Sequence, residues 1–196
     1  MDYRLPITRE EAISLLKQYE QKESDWNHYF ESEAIMKTLA EHFNEDIEYW
    51  GMLGLLHDVD WALTRDNWKE HCILAVKILR ENGFDREFIQ IIQSHGYGVK
   101  EIPEFENKKR TTKIEHSLAA SEAITGLIYA YALMRGKKIS DMDVAGLKKK
   151  FKDRRFALNC NREVIKEIEL SNLKLDEFFK LAIEAMAKIK DKIGLS

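Results

Sequence analysis

Apolar residues recur at intervals of three and four along nearly the whole chain, few stretches alternate as strands do, and only Pro6 and Pro103 interrupt the pattern. That period belongs to amphipathic helices, so the sequence predicts an all-α protein. Thr8 and Glu11 have capping-box form and open a first helix through Ile13, Leu15, Leu16 and Tyr19. A second helix spans Trp26 to His42, with Ile35, Met36 and Leu39 inward. A third starts near Asp46 and runs through Trp50, Leu53 and Leu56 to His57, where Gly51 and Gly54 admit a close neighbour. Asn67 and Glu70 mark a fourth helix carrying His71 to Leu79 and stopping at Gly83. Asp85 caps the next, Arg86 to His95. Residues 96–110, with Gly98, Pro103 and several charges, read as a mobile loop over a site. Thr112 and Glu115 form a second capping box and begin a long apolar helix. Ser140 with Asp143 starts a short helix into LKKKFKDRRF, and two more follow near Arg162 to Glu169 and Asp176 to Ile193.

With 196 residues and no evident linker, this pattern reads as one helical bundle over 1–196, its C-terminal helices (about 140–196) packed on the rest. The long apolar segment 117–134 approaches membrane-span length, but it contains Glu122 and lacks an aromatic belt at both ends, so it reads as a buried helix and no membrane partner is expected. A net charge of -3 with 33% charged residues predicts no nucleic-acid polymer as partner, so any anion recognition must be local. Two cysteines, Cys72 and Cys160, supply neither a disulfide framework nor a four-cysteine zinc site. The opening MDYRLPITREE has no apolar signal-peptide core, which makes a cytoplasmic location the default expectation.

The chemistry concentrates where the apolar run GMLGLL ends in His57, Asp58, Val59 and Asp60. Carboxylates at the end of such a run must reach water or meet a cation. Neighbouring helical residues point about 100° apart, so His57 and Asp58 serve one ion only where the helix ends. Asp58 is placed to bind or bridge metal, and Asp60 to orient a histidine or a water. Taken alone, the doublet also fits an ordinary helix C-terminus with His57 on the dipole. His28, His71, His95 and His116 widen the pattern, whereas His42 sits on an exposed helix end and has no assigned role.

The order His28, His57-Asp58, His71, His95 and a late acid resembles the HD superfamily of metal-dependent hydrolases. The likeness runs from HYFESEAIM at 28 through LLHDVD, KEHCILAVKILRENGF and IIQSHG to EHSLAASEAITGLI and LKKKFKDRRFALNCNRE. It implies a helical bundle of the HD-domain type, similar to small stand-alone prokaryotic members, with His28, His57 and Asp58 as metal ligands. The last ligand, usually aspartate, falls on Glu122, one methylene longer and the only charge between His116 and Arg135. Glu115 ranks behind it because its capping position already employs it. The resemblance gives His71 and His95 either a second ion or the substrate phosphate. It implies one or two divalent ions, a transition metal (Mn, Fe, Co, Ni or Zn) or Mg.

In the basic run, Phe151 and Phe156 act as anchors that aim selected cations inward, so Lys150, Lys152, Arg155 and Arg162 are candidate phosphate contacts. The resulting expectation is a metal-dependent phosphohydrolase acting on a nucleotide-like or other small phosphate ester, with His57, Asp58 and Asp60 in the catalytic set. The alternatives are an HD-type di-iron oxygenase, a non-catalytic nucleotide-binding or signalling module, and a purely structural bundle. Periodicity says nothing of oligomeric state.

Overall fold

A computed structural model describes residues 4–196, in which every regular element is helical. Residues 1–3, part of the segment read for a leader, lie outside the described residues. Ten α-helices occur among them: α1 (Arg9–Leu16), α2 (Glu23–Phe43), α3 (Ile47–Leu56), α4 (Trp61–Thr64), α5 (Leu74–Glu81), α6 (Arg86–Ser94), α7 (Lys113–Met134), α8 (Val144–Lys152), α9 (Arg162–Lys166) and α10 (Leu175–Lys188). Short 3₁₀ turns at Trp68–Glu70, Glu167–Ser171 and Lys190–Ile193 complete the chain.

Both capping boxes form as the sequence predicts, at Thr8/Glu11 and at Thr112/Glu115. Asp46 and Asp85 accept the amides of Tyr49 and Phe88 and so start α3 and α6. Asn44, in the left-handed region at φ 56°, ends α2 and turns the chain back along itself. The α2–α3 pair is the most extensive contact in the fold, and α7 lies against both helices. The spacing of α2 and α3 is set at Gly54, where a Cβ would come within 2.6 Å of the Ser32 carbonyl oxygen.

The long helix α7 has the length and apolarity of a membrane span, yet 61% of its apolar window is buried inside the protein. Leu118, Ala119, Ala120, Ile124, Leu127 and Ile128 are fully enclosed, so the segment is the core helix that the sequence reading expected. Small residues at 119–121 allow that approach. Helices α8, α9 and α10 pack on α7, and α10 also reaches α2.

Two predicted helix starts are corrected. Asn67 makes no cap, and residues 68–70 form only a 3₁₀ turn. The chain then breaks at Cys72, with φ 64°, and α5 begins at Leu74. An amide at its start, that of Ala75, finds its acceptor in Asp60, 15 residues earlier, instead of in a local cap. Further on, Asp143 and not Ser140 starts α8, accepting the Gly146 amide. The four-residue helix α4 was not foreseen, because it is too short for a periodic signal.

The segment 96–110 borders the candidate site through Gly96, Val99 and Glu101. It is held down by the buried side chains of Ile102 and Phe105, which pack on Cys72. Arg110 fastens its two ends: the guanidinium bonds Glu167 at 2.7 and 2.8 Å and the carbonyls of Ser94, His95 and Tyr97 at 2.8–3.2 Å.

Candidate metal centre

Four histidines meet around one aspartate. His28 comes from α2, His57 and Asp58 follow α3, His71 precedes α5, and His95 follows α6. His28 and His57 Nε2 are 3.0 Å apart, and His71 and His95 Nε2 are 3.2 Å apart. Asp58 stands between the pairs: Oδ1 lies 3.6 Å from His57, 3.4 Å from His71 and 3.3 Å from His95, and Oδ2 lies 3.7 Å from His28.

The tautomers follow from the partners on the other ring nitrogen. His57 and His95 Nδ1 face the carbonyls of Gly54 (2.9 Å) and Ile92 (2.6 Å), which only accept, so both Nδ1 atoms carry a proton and donate. His71 Nδ1 donates to Asp60 Oδ1 at 3.0 Å. Thr125 spends its hydroxyl proton on the Glu122 carbonyl (2.8 Å) and therefore accepts from His28 Nδ1 (3.0 Å). In their neutral form all four rings aim an Nε2 lone pair at the same space. Crowded acceptors repel one another unless cations lie between them, and an imidazole tied through Nδ1 is the usual form of a metal-binding histidine.

Electrostatics without a cation show the same conflict. Burial first, against the opposing pull of Asp58, lowers His57 to about 3 and pushes His28 down as well. Burial also disfavours charge on His71 and His95. There, however, the hydrogen bond to Asp60 with help from Cys72 and Asp58 lifts His71 to about 10, and Cys72 and Asp58 raise His95 well above the ordinary range. Burial opposes ionisation of Asp58 too, but His57, His95 and His71 hold it well below the usual carboxylate range.

Two sets of donor atoms lie within 4.8 Å of one another: His28, His57 and Asp58, and His71, Cys72 and His95. Glu122 belongs to neither set, but it lines the same cavity of about 510 Å³. Burial, countered by His95 and reinforced by Asp58, raises its carboxyl to about 7. Asp60 is fully buried and makes no direct approach to the cavity, orienting His71 and the start of α5 instead. His116 sits elsewhere, paired through Nδ1 with Glu167 at 2.9 Å, and Glu115 is occupied by the amides of Thr111 and Thr112.

Among the described residues, neither the basic run nor Arg162 beyond it lines the cavity, where the sequence expected Lys150, Lys152, Arg155 and Arg162 to offer phosphate contacts. Arg162 is buried, and its five N–H groups are all taken by the carbonyls of Phe151, Asp153, Phe156, Ala157 and Cys160. It is a clamp on the 153–161 loop, with no donor left for phosphate. Lys150 lies over the rings of Phe156 (4.9 Å) and Tyr131 (5.7 Å) and lines a different hollow. Lys152 is exposed, and Arg155 is 93% exposed beside Asp153. Among the described residues, no lysine or arginine lines the histidine cavity.

Sequence reasoning missed what does line it: Trp61, Trp68, Thr125, Asn159 and Asn161, with Cys72 beneath. Trp61 and Trp68 meet edge to face at 5.2 Å, and Trp61 stands 5.3 Å from His71. Trp68 remains 45% exposed. Only Cys72 had a local cue, its place directly after a histidine. A hollow of similar size, about 520 Å³ beside Trp50 and Gln90, includes none of these histidines.

Against known families, residues 25–120 match the HD domain. This chain carries an HD domain, and His28, His57, Asp58, His71 and His95 all fall inside the matched stretch. Among curated proteins it is similar to Ribonuclease Y of Sulfurovum sp. (strain NBC37-1), 23% identical over 85% of this chain and 32% of that protein. It is also similar to Ribonuclease Y of Thermosipho melanesiensis (strain DSM 12029 / CIP 104789 / BI429), 32% identical over 35% of this chain and 14% of that one. The chain therefore spans about a third or less of the length of these relatives. No solved structure matches it significantly.

Proposed function

We propose that this chain is a metal-dependent phosphohydrolase acting on a nucleotide-like or other small phosphate ester. The observation that carries the reading is the convergence of four histidine Nε2 atoms on Asp58 within an HD domain. A divalent cation bound there supplies a Lewis acid for a phosphoryl oxygen and a water of lowered pKa. His28, His57 and Asp58 are the holding residues, with Glu122 reaching in from α7. Asp58 also orients the attacking water, since Oδ1 lies near His57, His71 and His95 while Oδ2 lies near His28 alone. His71 and His95 hold a second ion when deprotonated, or donate to the phosphate when charged. Asp60 keeps His71 turned towards the cavity. Thr125, Asn159 and Asn161 offer neutral polar contacts in place of the basic side chains, and the two tryptophans offer flat apolar surface for a base.

The test is metal analysis of the purified chain, paired with a phosphate-ester screen under Mn²⁺, Mg²⁺, Co²⁺, Fe²⁺, Ni²⁺ and Zn²⁺. His57→Ala and Asp58→Ala should each remove most of the metal and nearly all hydrolysis while leaving a helical protein. Full metal content in both variants would overturn the ligand assignment. Redox-active iron without phosphatase activity would favour an oxygenase, and nucleotide bound but unchanged with every metal a sensing module.

A second substrate is favoured by one observation: both relatives above are ribonucleases by name. Short RNA belongs in the same screen. The absence of lysine and arginine from the cavity wall among the described residues argues for a small ester over a tracked polyanionic backbone.

A further inference from the structure

Cys72 is fully buried in the small apolar cluster with Ile102 and Phe105, and its Sγ also reaches the histidine pair. Sγ lies 3.4 Å from His95 Nε2, 4.0 Å from His95 Nδ1 and within 4.8 Å of His71's ligand atom. His95 Nε2 therefore has three donor neighbours at nearly one spacing: His71 Nε2 at 3.2 Å, Asp58 Oδ1 at 3.3 Å and Cys72 Sγ at 3.4 Å. A tetrahedral ion with nitrogen and oxygen bonds of about 2.0–2.1 Å holds those donors about 3.4 Å apart, and a sulfur at about 2.3 Å stands slightly further off. The three spacings from His95 and the 3.4 Å between His71 and Asp58 fit edges of such a set, and the sulfur stands within 4.8 Å of His71. Gly96 leaves room for the sulfur here, since a Cβ at that position would come within 2.8 Å of Sγ.

We propose that Cys72 is a metal ligand: its thiolate, with His71 and His95 and with Asp58 as shared donor, forms a sulfur-containing site beside the His28–His57 site. The inference rests on the reading above that Asp58 is shared by cations. On binding, the thiol proton passes to solvent and sulfur enters the first coordination sphere. A thiolate with two imidazoles selects a thiophilic ion such as zinc or cobalt over magnesium. Four protein donors also fill a tetrahedron. The open coordination position needed by a reacting water then belongs to the His28 side, where Glu122 and Thr125 line the cavity.

The experiment is titration of the full chain with Co²⁺, followed by optical absorption, with X-ray absorption of the zinc-loaded protein in parallel. The wild type should show a near-ultraviolet sulfur-to-cobalt charge-transfer band and one sulfur scatterer per two ions at about 2.3 Å. Cys72→Ser should abolish the band and weaken binding of the second ion by about 10–100-fold, whereas Cys160→Ser should keep the band. The X-ray measurement uses unaltered protein and so stands even where the buried substitution disturbs folding. Ions bound with only nitrogen and oxygen scatterers would overturn the role of Cys72 and leave the hydrolase reading intact. No ion bound at all would overturn both.

Discussion

Asp60 joins His71 to the start of α5: one carboxylate oxygen accepts the His71 Nδ1 proton at 3.0 Å, and the other accepts the Ala75 amide at 2.9 Å. A single buried acid thus sets both the ring that faces the cavity and the helix behind it. Asp60→Asn presents an NH₂ where one of those two donors must be received. The expected result is a loss of about 2–4 kcal/mol in chemical denaturation under chelator and metal binding weaker by about 10–100-fold. Wild-type stability with wild-type metal affinity would remove Asp60 from both tasks.

Glu122→Gln tests the acid on α7. The substitution keeps shape and removes charge, so metal-induced thermal stabilisation should shrink sharply while the chelated protein is no less stable than wild type. Equal stabilisation of both proteins by metal would make Glu122 a structural residue.

Glu31 is buried, and its Oε1 has no hydrogen-bond partner. Burial pushes its carboxyl well above the ordinary value of 4.5. The folded state therefore binds a proton that the unfolded chain has released above about pH 4.5, and stability falls as pH rises from there towards the folded-state pKa. Glu31→Gln removes that proton linkage. Its melting temperature should exceed that of wild type at about pH 8 and converge with it near pH 4, the gain at high pH amounting to roughly 1–3 kcal/mol. A parallel pair of curves across that range would show that Glu31 does not titrate as its burial requires.

The basic candidates separate into two kinds of residue. Neutralising Lys150, Lys152 and Arg155 together should leave kcat/KM for a small phosphate ester within about twofold, because none of them lines the cavity. Arg162→Met orphans five carbonyls at once and should cost about 3 kcal/mol or more. Limited proteolysis should then cut within 153–161. Arg162→Lys should fail similarly, since one ammonium has three donors where five are used. A tenfold rise in KM in the triple variant with its fold intact would restore the run to the substrate.

What was legible in the sequence divides along a physical line. Helices whose first turn carries its own cap, such as α1, α3, α6 and α7, could be read from adjacent residues, because the signal and the structure are both local. The start of α5 could not, because its acceptor, Asp60, is brought in by the fold. The ring of His28, His57, Asp58, His71 and His95 was visible through its order along the chain and a family likeness, and the structure brings those residues together. Arg162 escaped the sequence for the same reason as the start of α5: an arginine near a basic run looks available until its carbonyl partners are known, and these come from a loop with no periodicity. Trp61, Trp68 and Asn159 carried no pattern that would set them apart from surface residues.

At Gly54 the backbone of α2 passes so near that a methyl group would strike the Ser32 carbonyl, and the Gly54 carbonyl itself receives the His57 Nδ1 proton. The gap between the helix that carries His28 and the helix that delivers His57 is gauged by a hydrogen atom. An alanine there would act as a shim, prising the two imidazoles apart one turn before the place where they meet. The tolerance of the whole centre is therefore machined at a position that bears no functional group.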